Sequence, residues 1–142
     1  MARGVDILLQ RKFGALTGWL SYTLADVIHT FPEINQGKEF YALHDQRHEI
    51  KLIVTYKLGK FDIAGNFVFA TGKPFTAPVG QYFLTMLDGT SRDFIHFGDK
   101  NSQRLPNYHR ADVSITYNLK IKAVDGRAGI SFFNIYNRKN IK

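Results

Sequence analysis

The chain has 142 residues, 44% of them apolar and 22% charged, with a formal charge of +7 and no cysteine. These figures suit one domain or a part of one and exclude a disulfide scaffold or a thiolate metal site. A mean hydropathy of -0.21, with no run near the roughly 20 apolar residues of a spanning helix, excludes a helical membrane bundle.

The dominant pattern along the chain is alternation with period two, the mark of strands with one apolar face. The first segment sets Val5, Ile7 and Leu9 against Asp6, Leu8 and Gln10, then turns at Lys12-Phe13-Gly14. The second sets Leu16, Leu20, Tyr22 and Leu24 against Thr17, Trp19, Ser21 and Thr23, with Gly18 on the apolar side. A polar loop is expected over residues 26–47. The third segment sets Ile50, Leu52, Val54 and Tyr56 against Lys51, Ile53, Thr55 and Lys57, and a turn at Leu58-Gly59-Lys60 leads to the fourth. There Phe61, Ile63, Phe67 and Phe69 alternate with Asp62, Ala64, Asn66 and Ala70. A second long loop, residues 71–109, carries Pro74, Pro78 and Pro106. In the fifth segment Val113, Ile115, Tyr117 and Leu119 face one way, and Asp112, Ser114, Thr116 and Asn118 the other. A hairpin turn is expected around Val124-Asp125-Gly126. The sixth segment runs from Ala128 to Tyr136, where the adjacent Phe132 and Phe133 blur the phase.

Each segment is about 9–11 residues long, the length a tilted strand needs to cross a bilayer, against about 5–6 for globular strands. Connections alternate short, long, short, long, short, as in transmembrane barrels with short periplasmic turns and long outer loops. The rich supply of aromatics, 12 Phe and 7 Tyr, suits strands and membrane boundaries. The basic charge is scattered over turns and loops without a run, so it reads as solvated charge rather than a nucleic-acid footprint. Six strands do not close a membrane barrel, for which about eight is the minimum, so the array is expected to pair with further strands. Met1-Ala2-Arg3-Gly4 has no signal-peptide core. An outer-membrane protein must be exported, so either Met1 is an artefact of truncation or the membrane reading is wrong.

Several stretches taken together resemble the late barrel strands of TonB-dependent receptors, nearest the Bacteroidetes type with a carboxypeptidase-regulatory-like plug extension. They are Gly4 to Lys12, Leu16 to Leu24, Phe31-Pro32-Glu33-Ile34-Asn35-Gln36-Gly37, Asp45-Gln46-Arg47-His48, Pro106 to Asp112, and Asn134 to Asn140. The resemblance covers nearly the whole chain in order. It implies a C-terminal segment, residues 1–142, of an outer-membrane barrel of about 22 strands, in a Gram-negative cell outer membrane. The plug, the TonB box, the earlier strands and the last strand are absent; family members continue into a final strand ending in an aromatic residue, whereas this sequence closes on Ile141-Lys142. Partners implied are outer-membrane lipid, the remaining barrel strands and plug, the TonB complex, and a small-molecule or glycan nutrient such as a siderophore or vitamin.

No residue set points to catalysis: no nucleophile elbow frames a serine, the carboxylates are dispersed, and Gly72-Lys73 and Gly98-Asp99-Lys100 lack phosphate-loop spacing. The expectation is no enzyme, no cofactor and no metal. His44 and His48 superficially resemble a metal pair, but their spacing suits a helix and the segment reads as loop entering strand. Asp45, Arg47, His48, Tyr108 and Arg110 are expected to be structural residues at loop–strand junctions. Candidate substrate contacts, in a loop or the lumen, are Trp19, Tyr82, Phe83, Arg92 and Phe94, with loop packing as the competing role. The expected lipid face carries Leu20, Leu52, Val54, Ile63, Phe67, Val113 and Ile115, and Tyr22, Tyr56, Tyr117 and Tyr136 are boundary candidates. The rival class is a small soluble β-barrel that binds an apolar or anionic ligand; a nucleic-acid binder would show strongly salt-dependent affinity for any duplex.

Overall fold

The computed structural model describes residues 1–121 and 124–141. Its strands in chain order are β1 (Ala2–Arg11), β2 (Leu16–His29), β3 (Phe40–Tyr41), β4 (His48–Leu58), β5 (Phe61–Ala70), β6 (Pro74–Phe75), β7 (Pro78–Thr85), β8 (Ser91–Phe97), β9 (Gln103–Arg104), β10 (Tyr108–Ile121) and β11 (Val124–Phe132). The protein is all-β and antiparallel, and the one helical element among the described residues is a single 3-10 turn at Asn35–Gly37. The chain divides into two compact units.

The larger unit comprises Gly4–Ala25, Gln46–Thr71 and Pro106–Lys142. Its six long strands lie in the order β1-β2-β4-β5-β10-β11, each beside its predecessor. The registers carry the alternation of each strand across the sheet. Leu20 pairs with Leu52, Leu52 with Phe67, and Phe67 with Ala111. Two rows further on the same face, Leu16, Tyr56, Ile63, Ile115 and Ile130 line up in the same way. The opposite face aligns Thr17, Thr55, Ala64, Ser114 and Ser131. Thr23 Oγ1 donates to Asp6 Oδ1 at 2.5 Å. That bond puts Asp6 on the polar face and leaves Val5, Ile7 and Leu9 on the other, because successive side chains alternate. A one-residue slip anywhere would swap the faces, so the pattern itself fixes the register.

Gly18 lies in the apolar row opposite Val54, and a Cβ there would collide with the Ile53 carbonyl. Glycine allows β2 and β4 to approach at that point.

The apolar face is uncovered. Leu16, Ile115 and Phe132 are 43%, 38% and 53% exposed. The only buried apolar side chain of this unit among its described residues is Ala70. Full burial of a large apolar side chain is worth about 1.5–3 kcal/mol, and across this sheet that stabilisation is not collected within the chain.

Several expected boundaries shift. The loop read over residues 26–47 begins later, because β2 continues to His29, and it contains β3. Alternation fails as a guide there because Ala25 to Ile28 mixes small, charged and apolar residues. The loop of residues 71–109 holds β6 to β9, and β10 already starts at Tyr108. Asp125 and Gly126, read as turn residues, pair with Lys120 and Leu119 in the β10–β11 ladder. The neighbouring turn positions 122 and 123 lie outside the described residues. The sixth strand ends at Phe132, short of Tyr136. Beyond it Asn134 adopts φ 52°, and its Oδ1 and Nδ2 bond the Arg138 N–H and C=O at 3.1 and 3.0 Å. That asparagine-closed turn ends the strand.

The smaller unit comprises Met1–Arg3, Asp26–Asp45 and Gly72–Leu105. In it β3 pairs with Ile28 and His29, β6 with β9, and β7 with β8. The β7–β8 ribbon is a two-stranded hairpin with Val79, Phe83, Ile95 and Phe97 more than half exposed.

Candidate functional site

Two kinds of arrangement carry the polar chemistry, and each lies within one unit. In the larger unit they sit where strands meet the long connections. Tyr22 Oη and His48 Nδ1 are 2.9 Å apart with rings stacked at 6.2 Å. The His48 N–H donates to Thr71 Oγ1 at 3.1 Å, and the Ala25 N–H to the Arg47 carbonyl at 3.0 Å. Arg47 and His48 thus bond across neighbouring strands.

The stretches Pro106 to Asp112 and Asn134 to Asn140, singled out separately in the sequence, clasp each other. Asp112 Oδ1 accepts the Asn134 N–H at 2.9 Å. Its Oδ2 accepts Arg110 Nε and Nη2 at 3.0 and 2.7 Å and Asn66 Nδ2 at 3.3 Å. The side-chain amide of Asn140 spans the His109 N–H and C=O at 3.2 and 2.9 Å. It supplies the partner that β11 no longer provides once it has ended. Tyr136 Oη lies 3.0 Å from His109 Nδ1, and Arg138 Nη2 donates to the Asn107 carbonyl at 2.9 Å. Tyr108 starts β10 opposite Ala70. These bonds hold strand ends, and they leave Arg138 Nε buried without a partner.

In the smaller unit the organising group is Asp45. Its side chain is fully buried; Oδ1 accepts the Val27 N–H at 2.7 Å and Oδ2 accepts Arg104 Nη2 at 2.5 Å. Arg104 Nη1 reaches the Gly72 carbonyl at 3.1 Å, and the guanidinium lies 4.5 Å over the Tyr41 ring. One buried carboxylate therefore ties residues 27, 45, 72 and 104 together. Asp45 is 0% exposed and Arg104 31%, so the carboxylate bears most of the desolvation and depends on its bonds.

A second tie joins Asn35 and Lys100. Asn35 Oδ1 accepts the Lys100 N–H at 2.7 Å, and its Nδ2 donates to the Lys100 carbonyl at 3.2 Å. Next to it Asn101, almost fully buried, donates Nδ2 to the Tyr41 carbonyl at 2.7 Å. Its backbone N–H donates to Thr76 Oγ1 at 3.0 Å. Asn35, Gln36 and Asn101 have φ of 51°, 58° and 56°, a left-handed conformation that non-glycine residues adopt at a cost. Beside these ties lies a half-open pocket of about 310 Å³ lined by Ile28, Phe40 and Tyr41 and by the exposed Lys38, Glu39, Asp99 and Lys100. His29, Phe31 and Phe40 pack against one another with ring centroids 5.8–6.0 Å apart.

The sequence-predicted substrate contacts do not meet at this pocket. Tyr82 and Phe94 stack across the β7–β8 ribbon at 5.7 Å, Phe83 pairs with Asp93, and Arg92 pairs with Leu84. Trp19 belongs to the larger unit, half-buried on the polar face opposite Ile53. Alternation placed Trp19 on its face but could not bring it to the loops. The pocket residues carried a weak signal, Asn-Gln-Gly at 35–37 and Asn101, both turn chemistry. Nothing in a single sequence joins positions 35 and 100. Among the described residues no group of three or more His, Cys, Asp or Glu converges on a point where a metal could sit; His48 turns to Tyr22 and Asp45 to Arg104.

No protein-family model, no curated protein and no solved structure matches the chain.

Proposed function

We propose that this chain is a section of the wall of an outer-membrane β-barrel of the TonB-dependent receptor kind, with the long connections forming part of its outer, nutrient-collecting surface. The observation that carries the reading is the continuous apolar face of the six-stranded sheet. Leu20, Leu52, Val54, Ile63, Phe67, Val113 and Ile115 share it through the strand registers, and among the described residues of this unit only Ala70 is a buried apolar side chain. Aromatic groups mark both ends. Phe61 and Tyr117 pack at 4.9 Å, with Tyr56 nearby, toward the short turns. Tyr22 with His48, and Tyr136 with His109, lie toward the long connections. Such bands suit the two membrane–water boundaries. The 11 residues of β4 span about 33 Å when extended. Tilted by about 40°, as strands of membrane barrels are, they rise about 25 Å, the height of an apolar band.

The free edges of β1 and β11 fit the same picture. Lipid leaves open edges unsatisfied, so further strands are needed on both sides, as a larger barrel supplies. The polar face, with the Arg110–Asp112–Asn66 cluster and Asn118 bonded to Asp62 at 2.9 Å, would face the lumen. The motif resemblance, read from the sequence alone, selects the receptor class within membrane barrels.

A small soluble β-barrel is the second reading, because strands with one apolar face suit a closed core as well as lipid. Against it stands the want of a buried apolar core in the larger unit. Detergent dependence separates the two. A membrane wall needs micelles to stay dispersed and shows a heat-modifiable band on gels. A soluble barrel is monomeric in plain buffer, and that result would overturn the proposal.

A further inference from the structure

We infer that the pocket of the smaller unit binds a small zwitterionic ligand, an amino acid or short peptide with a free ammonium and a free carboxylate. This names the substrate class of the receptor surface proposed above and rests on that reading for its biological sense.

The pocket, about 310 Å³, lies at the lower end of the range of small-ligand sites. Its lining carries exposed charge of both signs from two chain segments: Lys38 beside Glu39 in one, Asp99 beside Lys100 in the other. None of the four takes part in an ion pair among the described residues. A purely anionic ligand would meet the two carboxylates, and a purely cationic one the two ammonium groups. Only a ligand bearing both charges gives each pair of groups its complement.

Other classes fit less well. A sugar would want a free aromatic face, but Lys100 Nζ lies 5.7 Å over Phe40, which also packs against His29 and Phe31. Arg104 covers Tyr41. A metal would want a third donor, and none converges among the described residues. The two segments are also held in place before any ligand arrives. The reciprocal Asn35–Lys100 bonds and the Asn101–Tyr41 bond fix both segments, and they hold the two left-handed residues of the lining, Asn35 and Asn101. Strained, over-determined backbone of this kind gathers at ligand clamps, and preorganisation lowers the ordering cost of binding.

The test is calorimetric titration of the full chain in detergent with four probes: dialanine, N-acetyl-dialanine, dialanine amide and sucrose. Dialanine is expected to saturate, with the acetylated and amidated forms at least tenfold weaker and sucrose silent. Asp99→Asn and Lys100→Met should each weaken dialanine at least tenfold with the circular dichroism spectrum unchanged, while Arg127→Gln, an exposed position of the larger unit outside the pocket lining, leaves it unaltered. Equal binding of the blocked forms, tighter binding of sucrose, or no saturable binding overturns the inference. Vesicle partition of the same sample keeps the two proposals apart. Insertion without dialanine binding sinks this one alone, and binding by a chain that never enters lipid sinks the barrel reading alone.

Discussion

Placing a charge at Val54 tests which side of the sheet meets hydrocarbon. Val54 pairs with Gly18 and Gly65 in the apolar row, near the middle of β4, which runs from His48 to Leu58. An arginine at the midplane of a membrane barrel costs about 2–4 kcal/mol, a large share of the roughly 5–15 kcal/mol that holds a typical fold. Thr55 is one residue away on the polar face, level with Thr17 and Ala64, where a guanidinium would reach lumen water. In the assembled barrel, Val54→Arg should sharply reduce the heat-modifiable band and Thr55→Arg should leave most of it. Equal losses would refute the assignment of faces. Leu52→Phe distinguishes lipid from a packed protein core. Lipid accommodates the larger ring, whereas overpacking a core costs about 1–3 kcal/mol, so a marked fall in the unfolding midpoint of this variant would point to a core.

Three further outcomes follow from local geometry. Gly18→Ala drives a methyl into the Ile53 carbonyl, so β2 should detach from β4; amide hydrogen exchange across residues 16–24 is expected to rise, and unchanged protection would mean that the close approach is not needed. Asp45→Ala strands Arg104 and the Val27 N–H and should destabilise the loop framework by about 3 kcal/mol, the low end for a broken buried pair because Arg104 is partly exposed. Asp45→Asn should be milder, since it can still accept from Val27; limited proteolysis of residues 30–47 and 71–107 reads the difference, and identical cleavage rates would count against the tie. The Thr90 hydroxyl and N–H, both bonded to Asp88 Oδ1, hold the Asp88 carboxyl below the usual carboxylate range. A depressed folded value means that these bonds are fully present above the ordinary aspartate pKa near 3.9 and are lost as pH falls through the lower folded value. The Thr90 amide resonance should therefore titrate below that of an unstructured aspartate, and a midpoint at or above the ordinary value would contradict it.

The long strands were legible because side chains that alternate between apolar and polar over ten residues can all be satisfied together only on a pleated strand with one oily face. Phe61 to Ala70 begins and ends where the pattern does, and the ladder from β2 to β10 keeps each predicted face. Boundaries slipped where that signal stops. Asp26 to His29 continues β2 without alternating, and Asp125-Gly126 looks like turn chemistry yet sits in the ladder. Arg47, His48 and Arg110 were read as structural residues at loop–strand junctions; His48 bonds Tyr22 and Thr71, and Arg110 bonds Asp112 in its own strand. The pocket was not legible. It depends on Asn35 meeting Lys100, and on Asp45 meeting Arg104, contacts of long sequence separation made by irregular backbone. The aromatic candidates Tyr82, Phe83 and Phe94 drew notice by composition, but they line a ribbon rather than a cavity.

The single tryptophan offers the most direct measurement. Trp19 lies on the polar face, so in vesicles its fluorescence should be quenched only weakly by lipids brominated along the acyl chain. In the double variant Trp19→Phe, Leu52→Trp, the reporter moves to the apolar face, and the same lipids should quench it strongly. If emission from the relocated indole is indifferent to brominated lipid, or Trp19 in the parent chain is the more strongly quenched of the two, the sheet does not present that face to a membrane.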